Sequence, residues 1–448
     1  MQHPHAIVIG AGMAGLAAAR TLAAAGRRVV ALEARGRVGG RVLTLPPERF
    51  GVALEAGAEF IHGRPEATWR LVREAGLLPY DVPFEHLQRK HGKLTRLEEF
   101  DDAISPVMAG LARLKGPDIT FAQYLRTHAR SPSLRDARAL ALAFVQGFDA
   151  ADPEVVSARS LAREQEGLGA VGEEMQFRLT TGYSALAEWL AAEAKRHGAS
   201  IRLGMRVREV RWSTRGVEVT ASSTSGRAVA LRADRAVVTL PLGVLSQREG
   251  LSAVRFTPDI PSKRAAMERL GFGPVVKVLL RLRSPFWEEP RAAALAGASH
   301  GFRDLSFMND PSAAVPTWWT LRPLRAPVLI GWAGGPVAQA LSGLGREAIL
   351  GAALRSISGM TGQSVARLRS LVQHAEVYDW LADPWTRGAY SYEAVGGAAA
   401  RRELAKPLGG RLSFAGEATD TGGQASTVAG ALASGERAAQ EILRSRTT

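Results

Sequence analysis

The sequence predicts an α/β protein, in which a discontinuous Rossmann-like dinucleotide-binding domain is joined to a substrate-binding domain of mixed sheet plus helical cap. Three observations predict it. The chain opens on a strand, a glycine turn, a helix and a second strand; it closes on another strand, glycine turn and small-residue helix; and alternating β segments near residues 199–250 lie between stretches of different pattern.

The opening unit is the most specific. Residues 7–9 form a short apolar strand, Gly10, Gly12 and Gly15 follow in G-x-G-x-x-G spacing, residues 16–25 form an alanine-rich helix, and a second apolar strand over 29–32 ends on Glu33. Glycines alone carry little; between strand and helix, with an acid about twenty residues on, they form the dinucleotide fingerprint. Gly10 permits the tight turn, Gly12 the approach of a pyrophosphate, and Gly15 the packing of helix on strand. The helix N-terminus sets partial positive charge against the phosphates, and Glu33 is placed to accept from a ribose.

Next come a strand-and-turn segment over 53–63 and a helix over 66–75. Residues 80–195 read as mostly helical, with helical apolar spacing at 104–114, 121–125 and 134–148, and an amphipathic helix ends near His197. Alternation at 201–219, 228–231 and 235–240 predicts a meander, with 236–241 a buried strand of the parallel sheet. Strands at 275–282, 317–321, 328–332 and 371–378, with a helix at 349–358, predict the second sheet, and a helix over 427–444 ends the chain. The expected division is 1–78, 199–250 and 403–448 for the dinucleotide domain, with 79–198 as helical cap and 251–402 as mixed sheet.

Composition narrows the class. The net charge is +14, from 57 Lys and Arg against 43 Asp and Glu, but the arginines are scattered without a basic block, so a solvated surface is expected and no nucleic-acid partner. That sign also works against long-range steering of a strongly cationic substrate. No apolar run approaches the roughly 18–20 residues of a membrane helix, and Met-Gln-His-Pro-His leads straight into the first strand, so a cytoplasmic location is expected and no membrane partner. The chain has no cysteine, which removes disulfides, thiolate ligands and any cysteinyl link to a flavin. Of nine histidines only His62 lies in a motif, and no metal site is expected.

Five further segments carry motifs. Glu33-Ala-Arg-Gly-Arg-Val-Gly-Gly-Arg41 follows the second strand directly; Glu55-Ala-Gly-Ala-Glu-Phe-Ile-His-Gly63 lies just beyond; Asp379-Trp-Leu-Ala-Asp-Pro-Trp-Thr-Arg-Gly-Ala-Tyr-Ser391 lies late in the chain; and Phe414-Ala-Gly-Glu417 precedes Thr427-Val-Ala-Gly-Ala-Leu-Ala-Ser-Gly435. Together they resemble the flavin-containing amine oxidase family, nearest its polyamine-oxidase-like branch. The resemblance implies a GR2-type FAD-binding domain, with Gly10, Gly12, Gly15, Glu33, Arg35, Gly40, Arg41, Gly57, Ala58, Val207, Trp380, Gly416, Glu417 and Val428 at the cofactor. In it Arg35 and Arg41 face the diphosphate and flavin, Glu417 the ribityl or pyrophosphate region, and the helix start at Thr427 and Val428 the N1/C2=O edge, where a dipole stabilises negative charge. Monoamine oxidases carry a flavin-linked cysteine at the position of Ala389, so FAD is expected to be held non-covalently here.

The resemblance also implies the catalytic set Lys277, Tyr390, Thr427 and His62. Tyr390 would form one wall of an aromatic cage, Thr427 would stand where a second cage tyrosine is found in monoamine oxidases, and His62 would face the substrate channel. Lys277 is notable on its own: an ammonium within an apolar strand costs several kcal/mol unless something compensates, and in the family this lysine holds a water at flavin N5 and promotes reaction with O2. The expected function is FAD-dependent oxidation of a primary or secondary amine, polyamine or monoamine, to an imine and then an aldehyde or ketone, with O2 reduced to H2O2 by a monomer or homodimer. Glu59, Glu173 and Glu174 are the acids available near a channel. An L-amino-acid oxidase, which would need a cap arginine, is an alternative; others are a carotenoid-type desaturase, disfavoured by Lys277 and Tyr390, and a flavin-binding interaction protein with little turnover, disfavoured by Lys277, Trp380 and Tyr390.

Overall fold

The computed structural model describes residues 3–83, 85–90, 92–97, 100–172, 175–298 and 302–445. Glu173 and Glu174 lie outside them. A parallel sheet in the order Ser200–Arg202, Val29–Leu32, Ala6–Ile9, Arg235–Val238, Leu412–Phe414 draws on three separated stretches of chain, which is the predicted discontinuity. Its central strands are buried on both faces. Ile7, Ile9, Leu32 and Val238 enter a core beneath the meander Met205–Ser213, Gly216–Ser223, Ala228–Ala233, while Ala6, Val8, Ala31 and Val237 enter a core beneath two helices. Continuous apolar runs rather than alternation follow from that double burial.

The two helices are Met13–Ala24 and Val428–Arg444. Small residues bring them close: a Cβ on Gly435 would lie 2.2 Å from the Ala14 carbonyl oxygen. Met13–Ala24 starts three residues earlier than the alanine run predicts, directly after Gly12, and so brings its N-terminus to the glycine turn.

The second sheet has seven strands, in the order Val372–Asp379, Val275–Leu282, Val328–Gly334, Thr317–Trp319, Phe307–Asn309, His86–Lys90, Lys93–Leu97. All neighbours are antiparallel except Phe307–Asn309 with His86–Lys90. The last two strands correct the expectation that residues 80–195 are mostly helical. They form a hairpin on the sheet edge, and Gln176–Leu179 joins Ile61–His62 and Pro79–Asp81 in a three-stranded sheet. The helices Phe100–Met108, Phe121–Thr127, Arg135–Gly147 and Ala158–Gly169 do gather around a core of their own, with Val107, Phe121, Val145 and Leu161. Ser184–Arg196 instead packs on Met13–Ala24 through Leu186 and Leu190. Among the described residues no helix is long and apolar enough to cross a membrane.

Candidate active site

A cavity of about 490 Å³ runs from the first glycine turn, between the two sheets, to the helices of residues 100–169. Gly10, Gly12, Glu33, Arg35, Gly40, Arg41, Gly57, Ala58, Val207, Trp380, Gly416, Glu417 and Val428 all line it, as do Lys277, Tyr390, Thr427 and His62. Gly15 does not. It faces inward, where a Cβ would lie 2.0 Å from the Gly10 carbonyl oxygen, the helix-on-strand contact expected of it.

Gly12 is a glycine for another reason. A Cβ there would meet nothing closer than Gly39 O at 3.9 Å, and its φ of −73° suits any residue, so packing within the protein does not demand glycine. The space before it belongs to the cavity, at the N-terminus of Met13–Ala24. Thr427 caps Val428–Arg444, whose N-terminus opens into the same cavity. Two helix N-termini on one cavity favour negative charge at two places, as a phosphate at one end and a flavin edge at the other require. Glu33 accepts from Ala11 N (2.8 Å) and Arg35 N (2.9 Å), and its remaining lone pairs are available to hydroxyl donors. The residues therefore fit a dinucleotide such as FAD.

The polar groups around this half are mutually engaged. Arg35 makes a two-pronged contact with Asp383 (3.0 and 2.8 Å). Arg41 donates to Glu417 (2.7 Å) and to the Ala389 carbonyl (2.6 Å), while Ser391 donates to the other Glu417 oxygen through Oγ (2.6 Å). Burial would raise the Glu417 carboxyl, but Arg41 and Arg401 hold it below the usual range. The Thr427 hydroxyl is engaged too, accepting from Gly430 N (3.1 Å) and donating to Gln424 O (2.7 Å), so its first task is to start the helix.

Lys277 is fully buried. In its strand Val276, Val278 and Leu280 enter one core, so the two-residue period turns Lys277 to the opposite face, toward the cavity. Nζ donates to Glu59 Oε2 (2.6 Å) and Gly57 O (3.2 Å). The other Glu59 oxygen accepts from Arg178 Nε (2.7 Å) and Trp319 Nε1 (2.9 Å). Burial alone would raise the Glu59 carboxyl; Lys277 and Arg178 outweigh it and keep it ionised. Glu59, one of the acids expected near a channel, is thus committed to internal partners.

Beyond Lys277 the walls are aromatic. Trp380 donates to Ala56 O (3.1 Å) and Tyr390 Oη to Phe148 O (2.5 Å), which fixes both rings. Phe148 meets His62 edge to face at 5.5 Å. Burial pushes the His62 imidazole down to about 4, so it is neutral at pH 7, and its Nδ1 has no hydrogen-bond partner among the described residues. Burial raises the Tyr390 phenol, and the charge of Asp149 adds to that, so it stays protonated.

Two acids that sequence reasoning does not single out line this half, Asp149 and Glu164. Burial raises Glu164 to about 7; its Oε1 is 3.7 Å from Arg401 and has no hydrogen-bond partner among the described residues. Arg178 is a further residue it misses. The criterion that exposes Lys277, a charge within an apolar strand, applies equally to Phe177-Arg178-Leu179. Glu164 leaves no comparable signal, since an acid on an amphipathic helix reads as surface.

Comparison with known proteins matches residues 13–443 to the family described as flavin containing amine oxidoreductase. Polyamine oxidase 1 of Oryza sativa subsp. japonica is 29% identical, over 98% of this chain and 97% of that protein. Lysine-specific histone demethylase 1 homolog 2 of Arabidopsis thaliana is 28% identical, over 98% of this chain and 58% of that protein. Among solved structures, wild-type putrescine oxidase bound to putrescine superposes with a TM-score of 0.79 at 22% identity, covering 99% of this chain and 100% of that one.

Proposed function

We propose, for a chain that belongs to the flavin-containing amine oxidoreductase family, that it oxidises a primary or secondary amine of the polyamine or monoamine class, with non-covalent FAD and O2 as acceptor. The observation that carries the reading is the continuity of one cavity from the Gly10–Gly12 turn past buried Lys277 to walls of Tyr390, Phe148 and His62 beside Asp149 and Glu164. FAD, when bound, supplies the two-electron acceptor for the amine's α-C–H; the chain binds, orients and keeps out water. An apolar aromatic wall favours the neutral amine, the form able to release hydride, over its solvated cation. His62 lines the cavity as a neutral ring, so it adds no positive charge to repel the amine.

The acids refine the substrate. Among the described residues the arginines on the cavity are Arg35, Arg41 and Arg206; the first two are held by Asp383 and Glu417, and the cavity also carries two acids, Asp149 and Glu164, the latter 3.7 Å from Arg401. That favours a second ammonium over a carboxylate, hence a diamine or polyamine over an L-amino acid. Glu164→Gln is expected to lower kcat/KM for a diamine about tenfold while changing that for a monoamine less than about twofold, since a hydrogen bond to a charged group contributes roughly 1.5–3 kcal/mol. Equal losses on both would remove Glu164 from substrate recognition.

The direct test is to purify the protein, look for heat-releasable yellow flavin, and measure H2O2 with polyamines, monoamines and L-amino acids. Protein that takes up no FAD would sink the reading. Lys277→Met is expected to leave flavin reduction by substrate intact and slow reoxidation about tenfold or more, roughly 1.4 kcal/mol of barrier, which stopped-flow absorbance separates.

A further inference from the structure

We propose that Glu59 is a positioning residue for the oxygen half-reaction: its carboxylate clamps the Lys277 ammonium against the Gly57 carbonyl and serves as its counter-charge beside the cavity. The proposal rests on the oxidase reading above and extends it to a residue whose carboxylate is spent on protein partners.

The geometry is closed on three sides. Glu59 is 6% exposed, Lys277 is 0% and Arg178 is 4%. Both carboxylate oxygens are used, one by Lys277 Nζ (2.6 Å), the other by Arg178 Nε (2.7 Å) and Trp319 Nε1 (2.9 Å). Arg178 is braced in turn by the carbonyls of Arg322 (3.2 Å) and Thr320 (3.3 Å). Lys277 spends one N–H on Glu59 and one on Gly57 O, and Nζ sits 5.5 Å from the Trp319 ring and 6.0 Å from the Trp332 ring. The third N–H is left for a group in the cavity.

Glu55 also acts on Lys277 and Glu59, but burial raises it to about 7, so below that pH two cations on one ionised carboxylate leave the cluster with a net positive charge, which a low-dielectric interior screens less than a surface does. Reduction of O2 to H2O2 takes two electrons, which the reduced flavin supplies, and two protons from solvent or substrate. Negative charge develops on oxygen before the protons arrive, and a fixed cation at the cavity wall stabilises it. Without Glu59, Lys277 and Arg178 would lose the carboxylate that bridges them, with Glu55 left as the nearby acid acting on Lys277, and the lysine is the one of the two cations able to lose its proton.

The test compares wild type, Glu59→Gln, Lys277→Met and the double variant. It uses stopped-flow reoxidation against pH and, independently of turnover, the midpoint potential of the bound flavin against pH. Glu59→Gln is expected to move the alkaline limb of both profiles down by roughly 2 units or more, the scale on which burial shifts an unpaired lysine. Above that limb its reoxidation should fall to the Lys277→Met rate, and adding Glu59→Gln to Lys277→Met should change neither profile. An unmoved limb in Glu59→Gln, with Lys277→Met slowed, overturns the proposal. A Lys277→Met enzyme that reoxidises like wild type would instead overturn the role of Lys277 on which it rests. Should Glu59→Gln not accumulate folded, Glu59→Asp keeps the charge but withdraws it by one methylene. A limb shifted in the same direction supports the clamp, and an unmoved one overturns it.

Discussion

Alanine at Gly15 is expected to destabilise the protein by about 3–5 kcal/mol and to abolish flavin uptake, whereas alanine at Gly12 is expected to leave the apoprotein intact and weaken FAD binding alone. At Gly15 the new methyl would lie 2.0 Å from Gly10 O, 3.0 Å from the Gly10 carbonyl carbon and 2.9 Å from Thr239 Oγ1. Two of these are backbone atoms of the turn itself, so the helix must retreat and take its N-terminus away from the cavity. At Gly12 the nearest atom is 3.9 Å away and φ is already ordinary, so only a ligand meets the methyl. A lost cap preference and a stiffer unfolded chain, each under about 1 kcal/mol, nearly cancel in the apoprotein. Overpacking against the ligand costs about 1–3 kcal/mol, or roughly 5- to 150-fold in Kd. Thermal melts of both apoproteins and FAD titrations read the two outcomes separately. Wild-type FAD affinity in Gly12→Ala would mean that no phosphate lies against the first turn.

The contrast between these glycines marks how much the sequence discloses. The G-x-G-x-x-G turn, the flanking strands and the closing helix are legible because their signals are local: spacing, a period and a cap lie within a few residues of each other. Lys277 is legible as an anomaly, a charge in a strand whose neighbours are apolar. Its compensation is not, because Glu59 is 218 residues away and Arg178 a further 119 from Glu59 in sequence. Pairing at that distance leaves no trace in a single sequence. The hairpin of His86–Lys90 and Lys93–Leu97 escapes for a different reason. It is rich in Arg, Lys and Gln, lacks a β-branched run, and forms the edge of the sheet, where packing against Phe307–Asn309 overrides weak propensity. Thr427 carries two signals at once: the resemblance marks it as a wall of the cage, while the N-cap preference of threonine accounts for its bond from Gly430 N.

Between pH 7 and pH 4.5 the protein is expected to change little in stability, because two pairs of buried groups oppose each other, and single substitutions should expose either pair. Burial pushes His62 and His86 down to about 4. As pH falls below the unfolded value near 6.5, the unfolded chain binds protons that the fold refuses, so stability is lost between about 6.5 and 4, by about 2.5 kcal/mol for each by pH 4.5. Glu55 and Glu164 run the other way: burial raises both to about 7, so the fold holds protons that the unfolded chain has released, and stability is gained as pH falls from 7 toward 4.5 by a similar amount. His86→Gln, which keeps an amide for Asn309, should remove one losing group, so the variant gains about 2.5 kcal/mol at pH 4.5 relative to pH 7. Glu55→Gln retains an acceptor for Tyr183 N and should do the reverse, adding most of its benefit at pH 7 and leaving the histidines to dominate in acid. Denaturant midpoints at the two pH values measure both. If the two variants shifted the pH difference in the same direction, the neutral histidines and the protonated Glu55 could not both be correct. Below about 4.5 the two raised carboxyls no longer offset the histidines, and Glu59 and Glu417, held ionised by Lys277, Arg178 and Arg41, then lose their pairing as well, so acid unfolding should set in there.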